Sequence, residues 1–345
     1  MQILHCTQLL KKSLFFAGFV ALLSAVAIFS LLVGRYPVHL ADVVCVLKSF
    51  FSAGAECDAV IGTVVVDIRL PRVLAAIFVG GALSVTGAAF QALFRNPMVS
   101  PSILGVSAGA GFGAALSIVL GLGIVLQQVV SFASGTLAVC IVLMLGAAAG
   151  KSYNRNLTLI LAGMVVATVF SALLSVLKYI ADPDTALPSI VYWLMGGLSD
   201  IQLSDLPFIG GLSLLGVAVL SYTGWQLDIL SFGDDEARTI GIRVERLRFV
   251  VIIIAALMTS AAVSLSGIIG WVGLLIPHIA RMCIGPHNTR LLPASYLLGG
   301  GFLLLVDDFS RSAFAVEIPL GITTSLIGAP FFIYILMKTA KNRNK

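Results

Sequence analysis

The sequence predicts an all-α fold, a polytopic membrane bundle of about ten transmembrane helices, and three observations lead there. Only 11% of the residues are charged and 59% are hydrophobic, where a soluble domain carries roughly 25% charge. Mean hydropathy is +1.06. Apolar runs of membrane-spanning length follow one another with short gaps across all 345 residues, so one transmembrane domain over 1–345 is expected instead of two soluble ones. The 34 glycines suit close helix–helix approach and broken or re-entrant helices.

The first run, Leu14–Val33 after Lys11 and Lys12, is long enough to span ~30 Å of hydrocarbon and leads to no small-residue cleavage site, so it reads as a retained span. A polar, mixed region follows from Arg35 to Asp67. Arg69-Leu70-Pro71-Arg72 then opens a Gly/Ala-rich run to Leu93, closed by Phe94–Pro101 with its two prolines. In Leu104–Leu120, Gly105, Gly109 and Gly113 recur every four residues and form a smooth stripe for helix contact. Val125–Ala149 and Leu157–Ile180 are further spans. Ile190–Gly197, with Tyr192 and Trp193, reads as a short interfacial segment. Leu206–Tyr222 and Phe249–Ser266 flank the densest charge in the chain. Gly267–Arg281 is apolar but interrupted by three glycines and Pro277, and Leu291–Val306 and Leu320–Met337 complete the set.

Residues 226–248 lie between two spans yet hold Asp234, Asp235, Glu236, Arg238, Arg243, Glu245, Arg246 and Arg248. Such a segment must sit in water or against a partner. Grouping it with Lys11, Lys12, Arg95, Lys151, Arg155, Arg281, Arg290 and the basic tail puts 15 of the 21 Lys and Arg residues on one side. The positive-inside rule then expects both termini and the charged segment in the cytoplasm, and an even number of spans; ten fits if Gly267–Arg281 crosses.

Net charge is +5, but the positive residues are dispersed among loops and form no stripe, which argues against nucleic acid. The four histidines and five cysteines show no metal-ligand spacing. Cys45 and Cys57 fall on one face of the membrane and admit a disulfide, though free apolar thiols are the plainer expectation. Gly146–Ser152 (GAAAGKS) is one residue short of a phosphate loop and follows a membrane-length run instead of a buried strand. No acid stands at an obvious mid-span position; Asp67, Asp307 and Asp308 come nearest. The energy for any transport is therefore expected from outside the chain, with the charged segment as the place where it acts.

Five stretches in order resemble the membrane permease subunit of ABC importers for iron–siderophore complexes, haem and cobalamin: Arg69–Arg72 with Gly80, Gly81 and Gly87; Gln91–Gly109; Trp193–Gly197; Gly233–Gly241 (GDDEARTIG); and Gly267 through Pro277, His278 and Arg281 to Pro319–Gly321 and Gly328–Phe331. The resemblance implies the type II importer fold, pairing with a second permease copy or close paralogue, and location in a bacterial or archaeal cytoplasmic membrane. It implies two ATP-binding subunits that hold the ATP and Mg, so this chain is not an enzyme and binds no cofactor, and a soluble binding protein that delivers cargo from outside. Gly233, Asp234, Glu236, Ala237, Arg238 and Gly241 match the ATPase-coupling helix, with Asn96 and Pro97 a minor contact. Arg69, Arg72 and Arg311 match binding-protein docking positions; Arg72 with Asp67, and Arg311 with Asp307 or Asp308, could instead form structural ion pairs. Gly105, Gly109, Gly270, Gly273 and Pro277 match packing beside the pore and gate. Ferric siderophore is the first expectation for cargo, with haem, cobalamin and molybdate or tungstate as alternatives. An ion-coupled secondary carrier and a non-transporting signalling subunit are the readings from other classes.

Overall fold

The computed structural model describes residues 2–49, 58–150 and 155–343, and among them every regular element is helical. The chain opens with α1 (Gln2–Leu32), then two short helices, α2 (Leu40–Ser49) and α3 (Ala59–Thr63). An aspartate starts each: Asp42 accepts from the His39 N–H at 2.8 Å and Asp58 from the Val60 N–H at 2.9 Å, satisfying donors that a helix start leaves free. A π-helical turn, Val64–Arg69, runs into α4 (Leu70–Leu93). There follow α5 (Val106–Val119), α6 (Ile124–Ala148), α7 (Arg155–Ile180), the short α8 (Ala186–Met195) and α9 (Leu206–Tyr222).

The charged segment resolves into α10 (Gly224–Leu230), α11 (Asp234–Thr239) and the start of α12 (Val244–Ser266). The expected break after Ser266 is present: Gly267 and Trp271 both adopt positive φ before α13 (Val272–Ile284), which contains Pro277. The chain ends with α14 (Asn288–Ser312) and α15 (Leu320–Arg343).

Among the described residues, six helical stretches are long and apolar enough to cross a membrane: Ala59–Leu93, α6, α7, Leu203–Tyr222, α12 and α14. Ten crossings follow when the shorter apolar helices in α1, α5, α13 and α15 are added. α13, with 13 residues, covers only ~20 Å, and the irregular 267–271 segment lengthens that passage. Irregular backbone is tolerated at membrane depth where protein surrounds it. α8, with 10 residues, covers ~15 Å and does not cross.

α4 is the axis of the bundle. Its span is 83% buried, against 22% for α7, so α7 faces lipid or a partner while α4 is enclosed by α9, α12, α13 and α14. Small residues allow this. A Cβ at Gly80 would lie 2.7 Å from Leu303 Cβ on α14, and one at Gly273 would lie 2.7 Å from the Leu83 carbonyl, so α14 and α13 rest directly on the α4 backbone. Ser213 on α9 hydrogen-bonds Tyr296 on α14 at 2.9 Å inside the same core.

Polar side chains gather at the two ends. At one, Arg95 meets Asp234, Arg155 meets Glu245, and Asp228 accepts from the Asn288 N–H. The loops after α4, α6, α9 and α13 are thus on one face, as the charge count requires. At the other lie Arg69, Arg72, Arg311, Asp307, Asp308 and Glu317. Cys45, expected as a free thiol, is disulfide-bonded; Cys57 lies outside the described residues, as do Lys151 and Ser152 of the GAAAGKS stretch.

Candidate functional site

The charged end is built around α11, a six-residue helix between two glycines. Gly233 (φ +146°) and Gly241 (φ +91°) turn the chain sharply on either side, conformations that a side chain strains. The Arg248 guanidinium on α12 donates to Asp234 at 2.7 Å, and Arg95 approaches the same carboxylate at 3.5 Å. Arg238 pairs with Asp235 at 2.9 Å, and Glu245 receives Arg155 at 3.1 Å and both Arg238 and Arg248 at 3.5 Å. The short helix is therefore tied to the end of α4 and the start of α12, and α7 joins them through Glu245.

Ala237 does not face outward, as close approach to a partner would need. It is 0% exposed and packs under α11 against its own chain. The outward face is formed by Asp235, Glu236, Arg238 and Thr239, with Phe232 (79% exposed) and Ile240 (63%) at its two ends. Beside it, α4 ends in a Schellman turn: the Asn96 N–H reaches Gln91 O at 3.1 Å, the Arg95 N–H reaches Ala92 O at 3.2 Å, and Arg95 itself is left-handed (φ 52°). Asn96 then holds the turn by accepting from the Met98 N–H at 2.9 Å. Asn96, Pro97 and Met98 are all exposed, so this loop presents a second polar and apolar edge next to α11.

At the opposite end lie the three arginines expected to dock a binding protein. Arg69, Arg72 and Arg311 are buried, at 3%, 7% and 8% exposure, and each binds groups of its own chain. Arg69 donates to Leu31 O at 2.6 Å, Leu32 O at 3.0 Å and Tyr36 O; Arg311 donates to Ser30 O at 2.6 Å. Apart from Tyr36 O, these are among the last carbonyls of α1, the end of a helix that attracts positive charge. Arg311 also pairs with Asp308, the alternative that its spacing allowed. Arg72 binds both oxygens of Asp307, at 2.7–2.9 Å, and both of Glu317; Asp67 is not its partner. Arg72 and Arg311 pair with three carboxylates inside the protein, as buried charges require, while Arg69 is held by carbonyls. Direct docking on an outside protein would have to break these bonds.

Glu317 and Ser199 were not singled out by the sequence. Glu317 accepts from Ser199 at 3.1 Å as well as from Arg72, joining α4 to the loop after α8. Burial opposes its ionisation, but the Arg72 hydrogen bond and charge outweigh this and hold its carboxyl below the usual range. The same junction is sewn by backbone: the Gly197 N–H donates to Ser266 O and the Leu320 N–H to Gly196 O, both at 2.9 Å. The end of α8, the end of α12 and the start of α15 thus converge. An open recess of about 430 Å³ lies there, with Gly270 on its wall beside Leu194, Met195 and Gly321. Gly270 has no close neighbour, whereas Gly273 rests on α4 and Pro277 is buried in α13. Gly105 (φ +80°) turns the chain into α5, and a Cβ at Gly109 would lie 2.6 Å from Ser134 O on α6. Neither lies at that recess.

Residues 22–338 match the FecCD transport family. The chain is similar to the molybdate import system permease protein MolB of Haemophilus influenzae, 38% identical over 93% of this chain and 94% of that one. It is also similar to the hemin transport system permease protein HmuU of Yersinia pestis, 35% identical over 81% and 84%. A solved structure described as an inward-facing conformation of a metal-chelate type ABC transporter superposes with a TM-score of 0.84 at 37% identity, over 94% of this chain and 99% of that one. With its bundle, its ion-paired charged segment and this likeness running almost end to end, the chain belongs to the FecCD transport family and is a multi-pass ABC importer permease.

Proposed function

We propose that the chain forms the membrane pathway of an importer for an intact metal chelate, a ferric siderophore first among them, driven by ATP that partner subunits hydrolyse. The observation that supports this reading most is the exposed α11 segment, bound by ion pairs to the end of α4 and the start of α12, which in turn holds α7 through Glu245. It offers a partner a short lever on the bundle and has no nucleotide loop of its own. Two copies, or one copy and a close paralogue, enclose the pathway; two ATPases with their ATP and Mg sit against the charged ends in the cytoplasm of a bacterial or archaeal cell. A binding protein delivers cargo to the opposite end. Selection of cargo rests with the binding protein. Molybdate is the second reading, favoured by the likeness to MolB over nearly the whole length of both chains.

The test is uptake into proteoliposomes containing the permease, its ATPase and its binding protein, loaded in turn with a ferric siderophore, haemin, cobalamin or molybdate. The ferric chelate is expected to accumulate only with ATP and the binding protein present. Uphill accumulation under an ion gradient without the ATPase would overturn the reading, and selective molybdate uptake would replace its cargo.

A further inference from the structure

We propose that the cleft between α6, α7 and α12 at the charged end is a binding site for the phosphate headgroup of an anionic phospholipid. This goes beyond the importer reading and does not depend on its cargo. The cleft has a volume of about 280 Å³ and is lined by Met144, Arg155, Leu159, Glu245, Arg248 and Phe249 among others. Its walls divide by chemistry. Met144 and Phe249 are 70% and 57% exposed and stand on membrane-spanning helices, where acyl chains would meet them. Arg155 and Arg248 stand where those helices leave the membrane.

Two features point to an anion. The Arg248 side chain is only 4% exposed, yet its Nε–H has no hydrogen-bond partner; a buried guanidinium donor left empty costs free energy that a phosphate oxygen would recover. Of the charged residues that line the cleft, two are arginines, Arg155 and Arg248, and one is a carboxylate, Glu245. Basic pockets between membrane helices at the headgroup level are where anionic lipids settle. Glu245 is the competitor: its carboxylate lies on the wall and holds Arg155 at 3.1 Å. A bound phosphate would draw Arg155 from Glu245, and because Glu245 also meets Arg238 of α11, the lipid would alter how firmly α11 is held.

The experiment uses the full chain in nanodiscs of phosphatidylglycerol or phosphatidylcholine, with native mass spectrometry counting retained lipid. Selective retention of phosphatidylglycerol is expected, falling about fivefold in Arg155→Gln, the effect of losing one arginine near a charged surface. Glu245→Gln should raise retention and keeps the test decisive if Arg155→Gln fails to fold. Equal retention of both lipids, retention unchanged in both variants, or displacement of phosphatidylglycerol by millimolar inorganic phosphate acting alone at an Arg155-dependent site would each overturn a lipid site.

Discussion

At the scale of single residues, Arg72 decides between two roles for the outer arginines. Its guanidinium is buried against Asp307 and Glu317, so Arg72→Met leaves Asp307 inside the bundle with Arg311 as its remaining partner, 3.7 Å away. Breaking a buried pair in this way costs about 3–5 kcal/mol. The purified permease should therefore lose thermal stability before any change in binding-protein affinity is considered. A variant as stable as the parent but deficient in docking would restore the docking role. Glu317 adds a pH dependence. Its folded pKa is depressed, so its contribution is fully present above the ordinary glutamate value and is lost as pH falls through the lower folded one. Comparing unfolding temperatures of the parent and Glu317→Gln on the acid side of neutrality should show the parent losing this advantage; parallel curves would reject the link. Part of this network was legible. Arg311 stands three and four residues after Asp308 and Asp307, a spacing that faces them on one helix turn. Arg72 and Asp307 are separated by 235 residues, and nothing in local sequence pairs them.

At the scale of elements, α11 shows what a motif reveals and what it conceals. Two glycines around a charged hexamer were enough to locate a short aqueous helix, because only sharp turns let so few residues leave and re-enter the bundle. Its rotation was not readable: six residues give less than two turns, too few for a hydrophobic period to identify Ala237 as the inward side. A bulky charge at Ala237 would disrupt packing within this chain and so could not isolate a partner contact. Ile240 can. It is 63% exposed at the outer end of the segment, so Ile240→Asp should leave the unfolding temperature within a degree or two, as surface changes do, while severing ATP hydrolysis from uptake by at least tenfold in the reconstituted complex. Uptake that stays coupled in this variant would move the ATPase contact elsewhere.

For the molecule as a whole, the division of charge between two ends turns a count of residues into an orientation. The spans were legible because each is an apolar run that polar loops interrupt, and α13 was the exception, since glycines and Pro277 shorten it below membrane length. What sequence left open was whether the loops grouped by charge truly meet, and the ion pairs Arg95–Asp234 and Arg155–Glu245 bring them to one face. Positive residues dominate that face, so it is expected in the cytoplasm. Single cysteines at Phe232 and Val316 test this directly, because both positions are exposed, at 79% and 77%, and lie at opposite ends. In cells of a background with all five native cysteines replaced, a membrane-impermeant maleimide should label Val316→Cys from outside and reach Phe232→Cys only after the membrane is opened. The reverse pattern would invert the protein, place α11 away from any ATP supply, and remove the basis for energy coupling through it.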